Sequence, residues 1–136
     1  MDRRSLLAAL SLAPFATTAL AGGARTLNYT PGLVTQELAA GKTLLVDYAA
    51  DWCSTCRRQE AILGQLRGAN PAYNEAITFV RVDWDKYRRH EVTTSRRIPR
   101  RSTLVLLRGE AELGRLVAET RESRIRDLLD LGLTAA

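Results

Sequence analysis

The chain is 136 residues and 15.1 kDa, room for one domain and too short for a multidomain enzyme. It is 46% hydrophobic and 26% charged, which places it among globular rather than disordered or fibrous chains. The formal charge is +5, with Arg supplying 18 of 20 cations, and the two Cys and one His are too few for a four-ligand zinc site of Cys and His alone or a disulfide-stapled mini-protein.

Asp2-Arg3-Arg4 is a basic head, Ser5 to Leu20 an apolar run broken by Pro14, and Ala19-Leu20-Ala21 sets small residues where a signal peptidase reads them. The run falls short of the roughly 20 residues of a membrane span. The expectation is therefore a cleaved signal peptide over 1–21, a mature domain over 22–136 and a periplasmic location; an uncleaved segment would instead leave the protein membrane-anchored. Arg3-Arg4 ahead of Ser5-Leu6-Leu7 hints at twin-arginine export, although the surrounding pattern does not choose a route. Cleavage removes Asp2, Arg3 and Arg4, one net positive charge. An exported domain can keep a disulfide oxidised.

No repeat or interior linker divides the rest, so one domain is expected from about Thr26 onward. Thr30-Pro31 reads as an N-cap with Pro at the first helical position, Leu33, Val34 and Leu38 have helical spacing, and Gly41 reads as the stop. Thr43 to Ala49 is a nearly continuous apolar run suited to a strand buried on both faces, with Asp47 the residue out of place. Cys53 to about Arg67 reads as a helix with a partial stripe of Cys56, Ile62, Leu63 and Leu66, ended by Gly68-Ala69-Asn70-Pro71. Ile77 to Val82 is a second β-type run and Lys86 to Ser95 a polar helical stretch. Thr103 to Leu107 and Leu113 to Val117 flank a turn at Gly109-Glu110, as in an antiparallel hairpin. Thr120 can cap a last helix whose Ile125, Leu128, Leu129 and Leu131 face the core. The order α-β-α-β-α-β-β-α implies an α/β fold with a mixed sheet covered by helices on both faces.

Trp52-Cys53-Ser54-Thr55-Cys56 stands where a buried strand gives way to a helix. There Cys53 lies beside unpaired backbone N–H groups and the positive end of the helix dipole, which favour a thiolate. Cys56 is about one turn away and can close a small disulfide ring, so one sulfur can attack a partner disulfide and the other resolve the mixed disulfide. A purely structural disulfide would normally join distant segments, because a tiny loop constrains little unfolded-state entropy. A metal site would have to recruit His90 as third ligand, as in copper-delivery proteins; its setting, Arg88-Arg89-His90-Glu91, reads as an exposed helix face.

Val46 to Cys56, with its Tyr48-Ala49-Ala50-Asp51-Trp52-Cys53 core, resembles the active-site strand and turn of the thioredoxin superfamily, closest in flavour to the thioredoxin-like C-terminal domain of the DsbD membrane electron transporter. Ile98-Pro99 follows Cys53 by 46 residues, a spacing similar to that of the family's cis-proline, and the likeness covers roughly Lys42 to Leu131. The resemblance implies Cys53 as the attacking thiol, Cys56 as the resolving one, and Asp47 as the buried carboxylate, its pKa raised by burial so that it accepts the Cys56 proton. A plain local hydrogen bond is the alternative for Asp47. Arg81 stands where thioredoxins often place a Lys; a permanently charged partner would hold Asp47 ionised. Pro99 would be cis and face the disulfide, keeping the backbone open for a substrate strand and barring metal from the thiols. Ile98 would offer its N–H and C=O to the partner chain, and Trp52 would pack beside the disulfide.

The dipeptide Ser54-Thr55 supplies no cation, which points to a reducing or intermediate potential. Arg100 and Arg101 follow the expected cis-proline and, with Arg96, Arg97, Arg57 and Arg58, would ring the disulfide with positive charge, favouring an acidic partner or lowering the Cys53 pKa; a plain solvated face is the alternative. The leading expectation is an exported, monomeric thiol–disulfide oxidoreductase, a reductase or electron relay. It would need no cofactor beyond its disulfide, act on exported protein thiols and draw electrons from a membrane partner. A copper-delivery protein using Cys53, Cys56 and His90 is the alternative, and a binding module that keeps only the fold is a third. Nucleic acid is rejected as a partner: outside 96–101 the Arg residues are scattered and no binding motif appears. Peroxidase activity is not expected either, for want of a longer insert or a third Cys.

Overall fold

Seven consecutive buried residues, Thr43 to Ala49, can only be the central strand of a sheet covered on both faces. This is strand β2 (Thr43–Ala49) of the computed structural model, which describes residues 25–134. The expected signal peptide, 1–21, lies outside those residues. In chain order the elements are β1 (Thr26–Asn28), α1 (Leu33–Ala39), β2, α2 (Ser54–Ala69), α3 (Ala72–Ala76), β3 (Ile77–Asp83), α4 (Trp84–Tyr87), α5 (Glu91–Thr94), β4 (Thr103–Arg108), β5 (Ala111–Val117) and α6 (Glu122–Leu131). The five-stranded sheet runs β1-β3-β2-β4-β5. β3 is parallel to both β1 and β2, whereas β4 is antiparallel to β2 and β5. The expected α/β fold with a mixed sheet is therefore present.

Alternation along β2 divides the core. Leu44, Val46 and Tyr48 join Val34, Val80, Val82, Tyr87, Val92, Ile98, Val105 and Leu107 on one face. Leu45 joins Leu63, Leu66, Tyr73, Phe79, Leu104, Leu106, Ile125, Leu128 and Leu129 on the other. Asp47 shares the Leu45 face, under α2, because it is two residues on along the strand.

Several boundaries differ from expectation. The N-cap of α1 is Gly32 (φ 88°) rather than Thr30, since Pro31 precedes the helix and the chain turns through a left-handed residue that glycine adopts without strain. Gly41 (φ 82°) is the stop: its N–H bonds the Leu38 carbonyl and that of Lys42 the Glu37 carbonyl, the left-handed exit typical of helix ends. The stretch 86–95 is two short helices broken at His90, which caps α5. α6 is capped at Arg121 instead of Thr120, and Leu131 is 43% exposed because it lies over Gly114 of the edge strand β5 rather than in the core.

Strand β1 was not expected. Three residues carry too little pattern to read, and Arg67 supplies the anchorage from far along the chain. Its guanidinium donates to Thr26 Oγ1 (2.8 Å), the Arg25 carbonyl (2.9 Å) and Asn74 Oδ1 (2.7 Å) and lies 3.7 Å from the Phe79 ring centroid. A buried Arg is tolerated when its fork is satisfied in this way.

Candidate active site

β2 ends at Ala49 and the chain turns through Ala50-Asp51-Trp52 into α2. Cys53 is the N-cap of α2, and its Sγ accepts the backbone N–H of Cys56 at 3.2 Å. A sulfur at this place in a 16-residue helix meets an orphan amide and the positive end of the dipole, so negative charge is favoured there. Cys53 and Cys56 form a disulfide, with Cα atoms 5.2 Å apart. Cys56 is fully buried, while Cys53 keeps 3% of its surface. Of the two residues, only Cys53 keeps any exposed surface.

Asp47 is buried on the α2 side of the sheet and its Oδ1 has no hydrogen-bond partner among the described residues. Burial, reinforced by the neighbouring Glu60 carboxylate and opposed by Arg81, pushes its pKa up to about 8. Asp47 and Arg81 are register partners across β2 and β3, yet the guanidinium spends its bonds elsewhere, on Glu60 (2.9 Å) and Asp51 (3.0 Å). Arg81 therefore does not hold Asp47 ionised by direct pairing. Asp47, Glu60, Leu63, Arg67, Phe79 and Arg81 line a cavity of about 290 Å³, roomy and polar enough for water. Cys56 and Glu60 are four residues apart on α2 and so share one helix face, which brings the Cys56 sulfur, Glu60 and the Asp47 cavity to one side of the helix.

The expectation for Ile98-Pro99 is corrected. No peptide bond among the described residues is cis, so Pro99 follows a trans bond. The chain instead changes direction at the left-handed residues Arg97 (φ 53°) and Ser102 (φ 64°). Pro99 is exposed, and Ile98 is buried in the core with its N–H bonded to the Thr93 carbonyl at 3.2 Å. That N–H is not free to pair with a partner strand.

The residue facing the disulfide is Ser102. Its hydroxyl lies 3.2 Å from Cys53 Sγ and 3.1 Å from Cys56 Sγ, with no exposed surface. Sequence reasoning passed over it because an uncharged Ser beside an apolar run carries no signal by itself. The pointer was position: Ser102 immediately precedes β4, whose Thr103 pairs with Tyr48 at the end of β2 that leads to Cys53. Gln59, also unforeseen, is fully buried in the α2 stripe and donates to the carbonyls of Ser102 (3.0 Å) and Glu119 (3.1 Å).

Trp52 is 56% exposed, its Nε1 donating to Asp85 at 2.8 Å, and the indole packed against the Cys53–Cys56 cluster is that of Trp84 instead. Arg101 stacks over the Trp52 ring at 4.4 Å. Arg100 donates to the Arg101 carbonyl, Arg57 to the Asp51 carbonyl, and Arg115 grips the carbonyls of Arg96 and Arg97. His90 is not a free surface ligand. It is half-buried, 3.3 Å from the Tyr29 hydroxyl and edge-on to the Tyr29 and Tyr87 rings. Among the described residues no three His, Cys, Asp or Glu side chains converge to hold a metal ion.

The thioredoxin family profile matches residues 28–130. Rice thioredoxin H2-1 is 30% identical over 81 residues, 60% of this chain and 54% of its own length, so the match spans about half of that relative. Thioredoxin from Echinococcus granulosus is 30% identical over 88 residues, 65% of this chain and 76% of its own. Among solved structures, Trxlp from Edwardsiella tarda is 34% identical with a TM-score of 0.68, covering 77% of this chain and 98% of that one. With the profile spanning most of its length and a disulfide closing the mouth of α2, the chain belongs to the thioredoxin family of thiol–disulfide oxidoreductases, which work through a paired disulfide and no added cofactor.

Proposed function

We propose that the protein is an exported protein-disulfide reductase or electron relay, with Cys53 attacking and Cys56 resolving. The observation that carries this reading is the contrast at the mouth of α2: Cys53 caps the helix and touches solvent, while Cys56 is sealed. The Cys53 thiolate attacks one sulfur of a partner disulfide. A Cys53–partner bond forms, the partner S–S bond breaks, and the first partner thiolate leaves with an electron pair. Cys56 then loses its proton to the Asp47 carboxylate, directly or through water in the cavity, and attacks Cys53. The Cys53–Cys56 bond forms and the second partner thiolate departs. Two electrons have passed to the partner, and the oxidised pair must be recharged by a donor dithiol.

The reducing direction is supported by Ser54-Thr55, which brings no cation to the helix mouth. Export is supported by the basic head, apolar run and Ala19-Leu20-Ala21 of the N-terminal sequence. A membrane-bound dithiol is then the natural donor, as in the DsbD-type arrangement the active-site sequence resembles. Partner proteins meet Trp52 with Arg101 stacked on it, a surface that suits a disulfide near acidic side chains. His90 is committed to Tyr29 and Tyr87, so nothing favours the copper-delivery alternative.

Cys56→Ser removes the resolving thiol and leaves the first step intact. The variant is expected to accumulate mixed disulfides with partner proteins, seen as dithiothreitol-sensitive bands on non-reducing gels. A clean monomer after exposure to a disulfide-bonded protein would overturn the roles assigned here.

A further inference from the structure

Ser102 is held where it stands by four separate contacts. Its N–H donates to the Tyr48 carbonyl at 2.7 Å, and its own carbonyl accepts from Gln59 Nε2 at 3.0 Å and from the Ala118 N–H at 2.8 Å. The fourth contact is the hydroxyl itself, placed between both sulfurs. A non-glycine residue at φ 64° is uncommon and persists only where its surroundings fix it, which is typical of working sites.

In the oxidised protein this hydroxyl is poorly served. Disulfide sulfurs are weak acceptors, the group is fully buried, and the sulfurs are its only hydrogen-bond partners among the described residues. A buried donor without a good acceptor costs free energy. Reduction reverses this, because a thiolate is a strong acceptor and a bond to it is charge-assisted. Charge settles on Cys53, which already receives the Cys56 N–H at the helix mouth. Ser102 can then accept from the Cys56 S–H and donate to the Cys53 sulfur, both across the distances already in place.

We propose that the Ser102 hydroxyl is a catalytic hydrogen-bond donor, stabilising the Cys53 thiolate before attack and the Cys56 thiolate after the mixed disulfide has formed. Cys53 is neutral once it is bound to the partner, so the hydroxyl is free to turn to Cys56 when that thiol loses its proton. Ser102 gains and loses no proton over the cycle. It favours the reduced over the oxidised form, and thereby tempers how strongly reducing the pair is. The inference rests on Cys53 being the attacking thiol.

The test titrates Cys53 alone, in a Cys56→Ala background, by the pH dependence of its alkylation rate, and compares Ser102→Ala and Ser102→Gly in that background. Both lack the hydroxyl, and glycine relieves the positive φ, so a folded variant is secured. Both are expected to raise the Cys53 pKa, with the thiolate fraction at neutral pH falling about tenfold, the scale of one hydrogen bond to a charged group. In the two-cysteine protein both should shift the equilibrium with glutathione about tenfold toward the disulfide, about 30 mV more negative. Unchanged titration in both variants would overturn the inference. So would a shift in Ser102→Ala alone, which would assign the effect to the backbone. If Cys53 in the Cys56→Ala protein itself titrates as an ordinary thiol, the attacking role of Cys53 fails first, which separates the two claims.

Discussion

Cys53→Ser is expected to lower the rate of protein-disulfide reduction by more than about three orders of magnitude, because it removes the nucleophile proposed to start the cycle. Cys56 cannot substitute, since it has no exposed surface and a partner disulfide cannot reach its sulfur without opening the fold. The loss is not one of folding. The Cys53–Cys56 ring is closed across a sequence separation of three, and a loop that small contributes only about 2 kcal/mol in the chain-entropy account. Cooperative unfolding of the variant with a modestly lowered midpoint, together with absent turnover, is the expected pair of observations. Turnover within tenfold of the parent would place the nucleophile elsewhere.

Asp47→Asn is expected to change stability and rate in opposite directions. The folded-state pKa of Asp47 is raised from 3.8 to about 8, so between those values the native state holds a proton that the unfolded chain has released. Stability from this group is full below the unfolded pKa and declines as pH rises toward the folded one. At about 1.4 kcal/mol per unit, the decline is on the order of 5 kcal/mol at most. Asn is neutral throughout and nearly isosteric, so the variant should match the parent near pH 4 and exceed it by several kcal/mol above pH 8. Denaturant midpoints at the two ends of that range measure the effect. The same change deletes the base proposed to take the Cys56 proton, so the resolving step should slow by about 10²-fold. Its rise with pH through about 8 should flatten. A variant with the parent's stability slope and pH–rate profile would mean that Asp47 is a structural carboxyl only.

The parts of this molecule legible in its sequence are those written by local pattern. β2 shows as a nearly continuous apolar run, the β4–β5 hairpin as two β-type runs around Gly109, and the helix mouth as a Cys-x-x-Cys directly after a strand. Asp47 could be singled out because a carboxylate within a buried strand demands a reason. Features set by contacts between distant segments were not legible. Three residues of β1 gain their place from β3 and from Arg67, more than forty residues away. Arg81 stands opposite Asp47 as its position suggests, but its charge is drawn off by Glu60 and Asp51, a competition that spacing cannot reveal.

The Ile-Pro pair misled for a related reason. Spacing from Cys53 pointed to Pro99, whereas the position facing the disulfide is fixed by the pairing of β4 with β2. That register places Ser102, three residues later, against the sulfurs. A residue's distance along the chain from a cysteine is a weaker guide than the strand that carries it there.

The most direct test of the central claim is the reduction potential of residues 22–136, equilibrated in dithiothreitol and glutathione buffers, with the fluorescence of Trp52 and Trp84 as readout. The reductase reading predicts one reversible two-electron transition near the thioredoxin end of the scale, about −270 mV. A transition near about −120 mV, the value of a strong oxidant, would contradict the direction of electron flow proposed here, and the absence of any reversible transition would contradict the redox role of Cys53 and Cys56 altogether.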